Sequence, residues 1–486
     1  MRHTFYRESL ALFTDLYELT MAYGYWKMGM LEQEAVFHLT FRKWPFKGGY
    51  AIAAGLQTLV DVLLDFHFEP SDISYLQSLK DSQNKPLFEK PFLEYLERLS
   101  FSCDIDALPE GSLVFPYEPL IRIKGPILEA QIVESVVLNI INFQTLIATK
   151  AARVCQAAGE DVVVEFGMRR AQGIDGAISA SRASFIGGCE STSHVLAGKL
   201  FDIPLKGTQA HSWIMAFENE LEAFEAFAEA MPHQCVFLID TYDTLQGARN
   251  AVRIADRLQG DDFVFLGVRL DSGDLAYLSI EVRKILDEAG YTKARIMASN
   301  ELDEYLIRDL KQQGAAITIW GVGTNLVTGK DQPALDGVYK LTAIKNKQGL
   351  WEDKIKISEQ TAKVTIPGFL QVRRFFHEGH LVGDVIFDDR SQPSGAIEMV
   401  GIADENDRRF MQPDTSYRDL LIPIFRKGKL CSELPSLRQI QQKAKKELEL
   451  LPSSMKRFLN PQVYFVGLER QVHDKRLRLI EKMRRR

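Results

Sequence analysis

The hexapeptide at 207–212, GTQAHS, contains a histidine that could accept a phosphoryl group. It follows the apolar run at 203–205, so we predict that His211 lies where a buried strand leads into a loop. Neutral imidazole is a good nucleophile toward phosphorus, and the resulting N–P bond stores energy for a coupled step. Thr208 and nearby backbone N–H groups could hold the incoming anion. A histidine that serves only as a hydrogen-bonded structural residue is the alternative.

Charged residues follow several other apolar runs. We predict an acidic cluster that faces a group of arginines, formed by Asp240, Asp243, Asp271 and Asp274 opposite Arg169, Arg170 and Arg269. Carboxylates and arginines in one pocket suit Mg²⁺ and a pyrophosphate leaving group. Structural ion pairs at a rim would have the same composition, and helix N-caps would explain Asp243 and Asp303. The chain lacks a serine nucleophile elbow and a Glu/His base pair, which favours group transfer through charge stabilisation over hydrolysis.

A glycine loop, GVGT at 321–324, follows a late apolar run. Its backbone N–H groups at Gly321 and Gly323, together with the Thr324 hydroxyl, suit a phosphate monoester. A plain turn is the alternative interpretation.

The candidate residues are far apart in the sequence and can form one site only if the fold brings them together. Six apolar, β-rich runs are predicted strands, at 162–166, 203–205, 236–239, 263–268, 296–298 and 317–320. Helical patterns lie between them at 218–231, 245–258, 275–289 and 302–313. This alternation predicts a parallel sheet covered by helices. The strand ends would meet on one face of a barrel, or at one edge of an open doubly wound sheet.

The pattern divides the chain into three predicted parts. Residues 1–130 combine a helix at 10–28, a strand at 36–41 and Pro- and Gly-punctuated strands, which indicates an N-terminal α+β domain. Residues 131–345 would form the catalytic α/β domain. Residues 346–486 carry no usable motif and are assigned as a C-terminal extension by pattern alone.

The composition narrows the function classes. The chain has 486 residues, of which 46% are hydrophobic, and a formal charge of -6, which argues against nucleic acid as the main partner. Its five cysteines stand singly, which indicates a reducing compartment and no zinc site. No apolar run approaches the length of a membrane span. We therefore expect a cytoplasmic protein with no membrane or nucleic-acid partner.

Five separated motifs together resemble those of nicotinate phosphoribosyltransferases. They are TDLYELTM at 14–21, EFGMRRAQG at 165–173, GTQAHS at 207–212, VRLDSGD at 268–274 and GVGTN at 321–325. The resemblance extends from the first helix to about residue 345. It implies a type II phosphoribosyltransferase with an irregular α/β barrel, working as a homodimer whose active sites lie at the subunit interface. The implied reaction converts nicotinate and phosphoribosyl pyrophosphate into nicotinate mononucleotide and pyrophosphate, driven by ATP hydrolysis.

The resemblance also implies residue roles. His211 corresponds to the phosphorylated histidine of the family, and the ring-stacking aromatics correspond to Phe166 and to Tyr17, the latter supplied by the partner subunit. The nicotinate carboxylate would meet Arg169, Thr208 and Arg170. The phosphoribosyl donor would be held by Arg269, Asp271, Thr324 and the backbone of Gly321 and Gly323. Either Asp240 or Asp243 is expected to orient the His211 imidazole.

Mg²⁺ is expected only as a substrate-bound ion, with Asp271 as the candidate contact. The cysteine-rich module that some relatives carry near the C-terminus is absent, because Cys431 stands alone. Three alternatives remain: a nicotinamide-specific relative, a quinolinate phosphoribosyltransferase and a non-catalytic regulator that kept the barrel. Ala210 and the Arg169-Arg170 pair favour the nicotinate branch, the ATP-linked histidine motif argues against the second, and the charged strand ends argue against the third.

Overall fold

The computed structural model describes residues 9–258, 260, 262–359, 364–402 and 404–485, which form two compact units. Unit 1 contains the described residues up to 146 and from 334 onward, and unit 2 contains residues 147–333. None of the described helices is long and apolar enough to cross a membrane.

The N-terminal part of the chain supplies the first elements of unit 1. They are α1 (Leu16–Lys27), β1 (Glu34–Thr40), β2 (Ala51–Ile52), α2 (Leu56–Leu64), α3 (Pro70–Ser78), α4 (Lys90–Glu97), β3 (Asp104–Ala107), β4 (Leu113–Val114), β5 (Pro119–Pro126), α5 (Ile127–Ile132) and α6 (Glu134–Ala158). The predicted first helix and first strand are both present, although α1 begins six residues later than the pattern suggested because Asp15 precedes its first turn. Helix α6 continues into the sequence of unit 2.

Unit 2 alternates strands and helices. Its elements are β6 (Val162–Glu165), α7 (Gly173–Ile186), β7 (Ser191–Thr192), α8 (Val195–Phe201), α9 (His211–Met215), α10 (Glu220–Ala230), β8 (Cys235–Leu238), α11 (Thr244–Arg257), β9 (Phe265–Leu270), α12 (Leu275–Glu288), β10 (Arg295–Ala298), α13 (Glu304–Gln312), β11 (Ile319–Val322) and α14 (Thr324–Val327). A short 3-10 turn spans Met168–Arg170. The four predicted helices correspond to α10, α11, α12 and α13.

The strands of unit 2 form a six-stranded sheet in the order β7-β6-β11-β10-β9-β8, and every neighbouring pair is parallel. Apolar side chains from the strands, such as Val163, Phe237 and Trp320, are buried together with those of the covering helices. A sheet buried on both faces needs continuous apolar strands, which is the pattern seen in the sequence. The predicted irregular α/β barrel is confirmed, with the carboxyl ends of its strands at one face.

One predicted strand is wrong. Residues 203–205 form only an isolated bridge, between Leu205 and Thr192, and the sixth strand is β7 instead. Pro204 has no N–H to donate to a ladder, although its carbonyl accepts from the Thr192 backbone N–H at 3.0 Å. The real strand consists of Ser191 and Thr192, which are polar and too short to produce an apolar run.

The C-terminal part of the chain completes unit 1. Its elements are β12 (Val338–Lys345), β13 (Trp351–Asp353), β14 (Leu370–His377), β15 (His380–Asp388), β16 (Ile397–Gly401), β17 (Arg408–Met411), β18 (Ser416–Asp419), β19 (Ile422–Arg426), β20 (Lys429–Leu430), α15 (Leu437–Glu449), β21 (Val466–Glu469) and α16 (Arg470–Arg484). A seven-stranded sheet in the order β13-β12-β1-β5-β3-β19-β20 joins both ends of the chain, and a six-stranded sheet has the order β17-β16-β21-β15-β14-β18. Strand β19, from the predicted extension, thus pairs antiparallel with β3, from the predicted N-terminal domain.

His38 on β1 makes the stability of unit 1 dependent on pH. It is buried, its Nδ1 lies 2.9 Å from Thr342 Oγ1, and its Nε2 accepts from the Leu370 backbone N–H at 3.1 Å. Burial, followed by the positive charge of Arg122, lowers the pKa of His38 from 6.5 to about 3. Below pH 6.5 this histidine therefore binds a proton in the unfolded chain but not in the folded chain. The free energy of unfolding falls as the pH falls from about 6.5 toward 3.

We expect this histidine to remove about 1.4 kcal/mol of the free energy of unfolding between pH 7.5 and pH 5.5. Urea titrations at both pH values on the wild type and His38→Gln measure the effect. The variant should be less stable at pH 7.5 but should lose less on acidification. An equal loss in both proteins would contradict the assignment.

Candidate active site

A cavity of about 300 Å³ lies in unit 2 where the parallel strands end. Six residues singled out from the sequence line it: Phe166, Arg169, Thr208, His211, Arg269 and Asp271. They come from the segment after β6, the segment between α8 and the start of α9, and the end of β9, which supports the expectation that strand ends converge. The cavity is large enough for a small aromatic substrate or part of a nucleotide.

His211 is the first residue of α9 and is partly exposed in this cavity. Its Nδ1 lies 3.1 Å from Thr241 Oγ1, and its Nε2 lies 3.6 Å from Asp271 Oδ2. The ring is therefore held between a hydroxyl and a carboxylate, which fix its orientation in the cavity. The contacts expected from Asp240 or Asp243 are made instead by Thr241 and Asp271.

Asp271 and Arg269 form the charged centre of the site. Arg269 donates through NH2 to Asp271 Oδ1 at 2.9 Å, through Nε to Ser299 Oγ at 2.9 Å and through NH1 to Thr208 Oγ1 at 3.2 Å. Ser299 also donates a short hydrogen bond to Asp271. Burial alone would raise the pKa of Asp271, but the Ser299 hydrogen bond and the charge of Arg269 outweigh it, and the pKa is lowered. Asp271 is therefore ionised at neutral pH.

The other two predicted aspartates do not contact the imidazole. Asp240 Oδ2 accepts from the backbone N–H of Asp271 at 2.8 Å and from Ser272 Oγ at 2.6 Å, so it positions the loop after β9. Asp243 is the N-cap of α11, and its carboxylate accepts from the Gln246 backbone N–H at 2.7 Å. Asp303 caps α13 in the same way. For Asp243 and Asp303 the N-cap interpretation is confirmed.

The loop after β6 presents an arginine and an aromatic ring. Phe166 lies beneath Arg269, with the guanidinium carbon 5.6 Å from the ring centroid. Arg169 is exposed and, within the part of the chain that the structure describes, makes no ion pair, which removes the rim salt bridge as an explanation for it. Arg170 is also exposed but does not line the cavity.

A buried carboxylate anchors this loop. Glu165 accepts from Ser181 Oγ at 2.8 Å, from Thr192 Oγ1 at 2.6 Å and from the Gly167 backbone N–H. Gly167 must be glycine because a Cβ there would lie 2.3 Å from Val327 Cγ1. This role of Glu165 was not predicted, although its position near the end of a predicted strand was a usable signal.

The glycine loop at 321–323 lies at the end of β11, next to β6. A Cβ on Gly321 would approach the Phe166 ring to 2.9 Å, so the absence of a side chain there makes room for the aromatic ring. Gly323 is the N-cap of α14, and Thr324 is its first residue. These three residues do not line the cavity around His211.

Tyr17 lies on α1 in unit 1, where its side chain is 47% exposed. The negative charge of Glu134, whose carboxylate accepts from Gln131 Nε2 at 2.8 Å, acts on the Tyr17 hydroxyl. Partial burial, followed by the negative charge of Glu134, raises the pKa of Tyr17 above its usual range. Phe13, Leu16 and Met21 are also exposed on or beside this helix, so Tyr17 belongs to an apolar surface.

Three further residues escaped the sequence argument. Thr241 and Ser299 follow β8 and β10, but no local feature of the sequence pairs them with His211 and Asp271. Gln209 lines the cavity and is only 6% exposed. Among the described residues, no group of three His, Cys, Asp or Glu side chains is arranged to hold a metal ion.

Three family models match successive parts of this chain, and all three describe the same family. Residues 12–142 match the N-terminal domain of nicotinate phosphoribosyltransferase, residues 162–379 match the nicotinate phosphoribosyltransferase family, and residues 370–476 match its C-terminal domain. Nicotinate phosphoribosyltransferase of Bacillus subtilis is 44% identical, covering 100% of this chain and 98% of the relative. That of Dictyostelium discoideum is 37% identical, covering 95% of this chain and 87% of the relative.

A solved structure is similar over the same length. The crystal structure of human nicotinic acid phosphoribosyltransferase superposes with a TM-score of 0.83 at 30% sequence identity, covering 96% of this chain and 99% of the human chain. The similarity therefore includes both units and is not limited to the parallel sheet.

Proposed function

Because the chain belongs to the nicotinate phosphoribosyltransferase family, we propose that it converts nicotinate and phosphoribosyl pyrophosphate into nicotinate mononucleotide and pyrophosphate. This reaction would serve NAD salvage. The observation that carries the proposal is the composition of the cavity. Arg169, which has no carboxylate partner among the described residues, lines it together with Phe166 and the Arg269–Asp271 ion pair.

Arg169 and Phe166 suit the pyridine substrate. The nicotinate carboxylate would receive charge-assisted hydrogen bonds from Arg169 and a hydrogen bond from Thr208, while the pyridine ring would stack on Phe166. Arg170 is a weaker candidate because it lies outside the cavity lining. Nicotinamide has no carboxylate to accept the charge-assisted hydrogen bonds of Arg169, so the site favours the acid over the amide.

The phosphoribosyl donor would lie against Arg269 and Asp271, with its phosphate monoester at the backbone of Gly321 and Gly323 and at Thr324. Loss of pyrophosphate leaves oxocarbenium character on the ribose, so the site must stabilise a leaving anion and a cationic carbon more than it needs a strong nucleophile. Asp271 is ionised, and its negative charge would stabilise the cationic carbon. We propose that Mg²⁺ enters on the substrate phosphates, with Asp271 as its protein contact, because the described residues offer no preformed metal cage.

We propose that ATP hydrolysis is coupled to this reaction through His211, which would make the enzyme formally a ligase. The γ-phosphoryl group would move from ATP to an imidazole nitrogen with ADP leaving, and water would later cleave the N–P bond to release phosphate. Thr241 and Asp271 would orient the ring for the transfer, and phosphorylation would then add negative charge to the cavity. The phosphorylated and free forms of the enzyme would bind substrates and products with different affinities. ATP cleavage, which interconverts the two forms, would then favour product formation.

We also propose a cytoplasmic homodimer in which Tyr17 completes the active site of the partner subunit. The exposed apolar residues around Tyr17 support this arrangement, since contiguous apolar surface of this kind commonly lies at interfaces. The free cysteines support a reducing compartment.

Product analysis tests the proposed function. Purified protein is offered nicotinate or nicotinamide with phosphoribosyl pyrophosphate and Mg²⁺, with and without ATP, and the nucleotide products are separated. We expect nicotinate mononucleotide and pyrophosphate, with ADP formed in the presence of ATP. Preferential formation of nicotinamide mononucleotide, or no nucleotide at all, would refute the proposal.

Arg169→Ala should reduce the use of nicotinate far more than the use of the phosphoribosyl donor. Charge-assisted hydrogen bonds contribute about 1.5–3 kcal/mol each, so the KM for nicotinate should rise roughly ten- to a hundredfold. Phe166→Leu is the contrasting variant, because stacking stabilises either pyridine about equally and its loss should leave the preference for nicotinate unchanged. Steady-state kinetics with both bases check this. A parallel drift of both KM values in Arg169→Ala would indicate a structural role.

A further inference from the structure

We propose that Asn325 is a positioning residue for the phosphoribosyl donor, because its side-chain amide holds the 299–303 loop, which joins β10 to α13, in the conformation that places Ser299. The inference rests on the proposed function for the identity of the donor. It gives a role to the last residue of the GVGTN motif, for which the sequence suggested none. Three observations support it: the hydrogen bonds of the amide, the strain in the loop and the contacts of Ser299.

The amide of Asn325 joins two loops at the carboxyl ends of neighbouring strands. The side chain is buried on α14, and its Nδ2 donates to the backbone carbonyl of Glu301 at 2.6 Å and to that of Leu302 at 3.2 Å. A side-chain amide nitrogen has two hydrogens, so one residue satisfies both carbonyls. Because Asn325 directly follows Thr324, these hydrogen bonds connect the end of β11 to the 299–303 loop.

The 299–303 loop has a backbone conformation that its residues do not favour. Asn300 and Glu301 have φ angles of 103° and 43°, both positive. Asparagine tolerates positive φ better than most residues, but glutamate does not. Strained backbone of this kind persists only where the surrounding structure holds it. The two hydrogen bonds from Asn325 provide that constraint, since one of them ends on the carbonyl of Glu301 itself.

Ser299 connects this loop to the charged centre of the site. Its hydroxyl accepts from Arg269 Nε at 2.9 Å and donates to Asp271. Strand β10 fixes the backbone before Ser299, and the strained residues follow directly after it. Release of the loop would therefore disturb Arg269 and Asp271, which we assign to the donor. It would leave Arg169, which follows β6 and would bind nicotinate, in place.

Asn325→Ala should weaken the use of the donor selectively. We expect the KM for phosphoribosyl pyrophosphate to rise about tenfold, because small displacements of charged contacts are costly, while the KM for nicotinate changes by less than about twofold. Asn325→Ser is the second variant. It leaves a smaller cavity, and its single hydroxyl hydrogen satisfies at most one of the two carbonyls, so it should show the same pattern. Steady-state kinetics with each substrate varied in turn give both KM values.

Glu301→Gly separates positioning from general stability. Glycine adopts a positive φ without strain, and the Glu301 side chain is exposed. In the double variant Asn325→Ala/Glu301→Gly the loop is no longer driven out of position, so the donor KM should return to within about threefold of that of the wild type. Glu301→Gly alone should raise the midpoint of thermal unfolding by a few degrees. In Asn325→Ala it should raise the midpoint less, because the strain has already relaxed.

Asn219→Ala is the matched control in the same unit. The Asn219 side chain caps α10 by accepting from the Glu222 backbone N–H at 3.0 Å, so its loss should lower thermal stability and leave both KM values unchanged. An unchanged donor KM in Asn325→Ala, a parallel rise of both KM values, or no recovery in the double variant would overturn the inference. The proposed function fails separately, if the wild type forms no nicotinate mononucleotide. The thermal comparison then still decides whether Asn325 holds the strained loop.

Discussion

His211→Ala should take up no phosphate from ATP, whereas the wild type should carry acid-labile, base-stable label after incubation with γ-labelled ATP. The difference is all or none, because alanine has no nitrogen to form the N–P bond. The contacts of His211 with Thr241 and Asp271 indicate a ring held in one orientation beside the cavity, as a phosphoryl acceptor must be. ATP should also cease to stimulate nucleotide formation in this variant.

Some transfer should survive at high donor concentration, since forming the glycosidic bond does not itself require the phosphorylated imidazole. His233→Ala is the matched control, because His233 is an exposed histidine of the same unit and its loss should leave the label in place. Quantified label per chain, with mass spectrometry of the modified peptide, gives the measurement. Stable label in His211→Ala would exclude this histidine as the acceptor.

A mixture of Tyr17→Ala and Arg269→Ala chains should recover activity that neither variant shows alone. In a homodimer whose sites combine Tyr17 of one subunit with Arg269 of the other, each mixed dimer has one intact site and one doubly altered site. Random exchange of subunits makes half of the dimers mixed, so activity should recover to about a quarter of that of the wild type. Each parent should be strongly impaired, since one lacks the stacking ring and the other the donor-binding guanidinium.

The experiment requires subunit exchange, achieved by co-expression with two different affinity tags, and sequential purification then isolates the mixed dimer, which should show about half of the wild-type activity because one of its two sites is intact. Sedimentation analysis first establishes that each parent is a folded dimer. As the control, Tyr17→Ala is mixed with the double variant Tyr17→Ala/Arg269→Ala, which leaves every dimer without an intact site. If the first mixture recovers no activity while mixed dimers are present, then Tyr17 and Arg269 of one chain serve the same site.

The components of the cavity could be predicted because each belongs to a short motif directly after an apolar run. Phe166 and Arg169 follow β6, and Arg269 and Asp271 lie at the end of β9. Parallel strands place their carboxyl ends on one face, so identifying the strands was enough to bring these side chains together. A helix-capping role for Asp243 and Asp303 could likewise be foreseen from local sequence, since an N-cap bond spans only a few residues.

The contacts that decide individual roles could not be predicted. Whether His211 meets Asp240, Asp243 or Asp271 depends on how loops after different strands bend toward one another, and the structure pairs it with Asp271 and Thr241. The sixth strand was misplaced for a related reason, since Ser191 and Thr192 pair with β6 through backbone groups that carry no pattern in the sequence. Backbone hydrogen bonding in a parallel sheet joins distant segments, and local composition does not record it.

The parallel α/β scaffold, the family and the residues gathered at the strand ends could be inferred without a structure, because apolar periodicity and local motifs encode them. The folded chain was needed to show that β19 pairs with β3. It was also needed to show that, among the described residues, Arg169 has no carboxylate partner and the buried Gln209 amide has no hydrogen-bond partner. These properties depend on what surrounds a group in space. The residue type determines which hydrogen bonds a side chain can make, and the packing of distant segments determines which of them form.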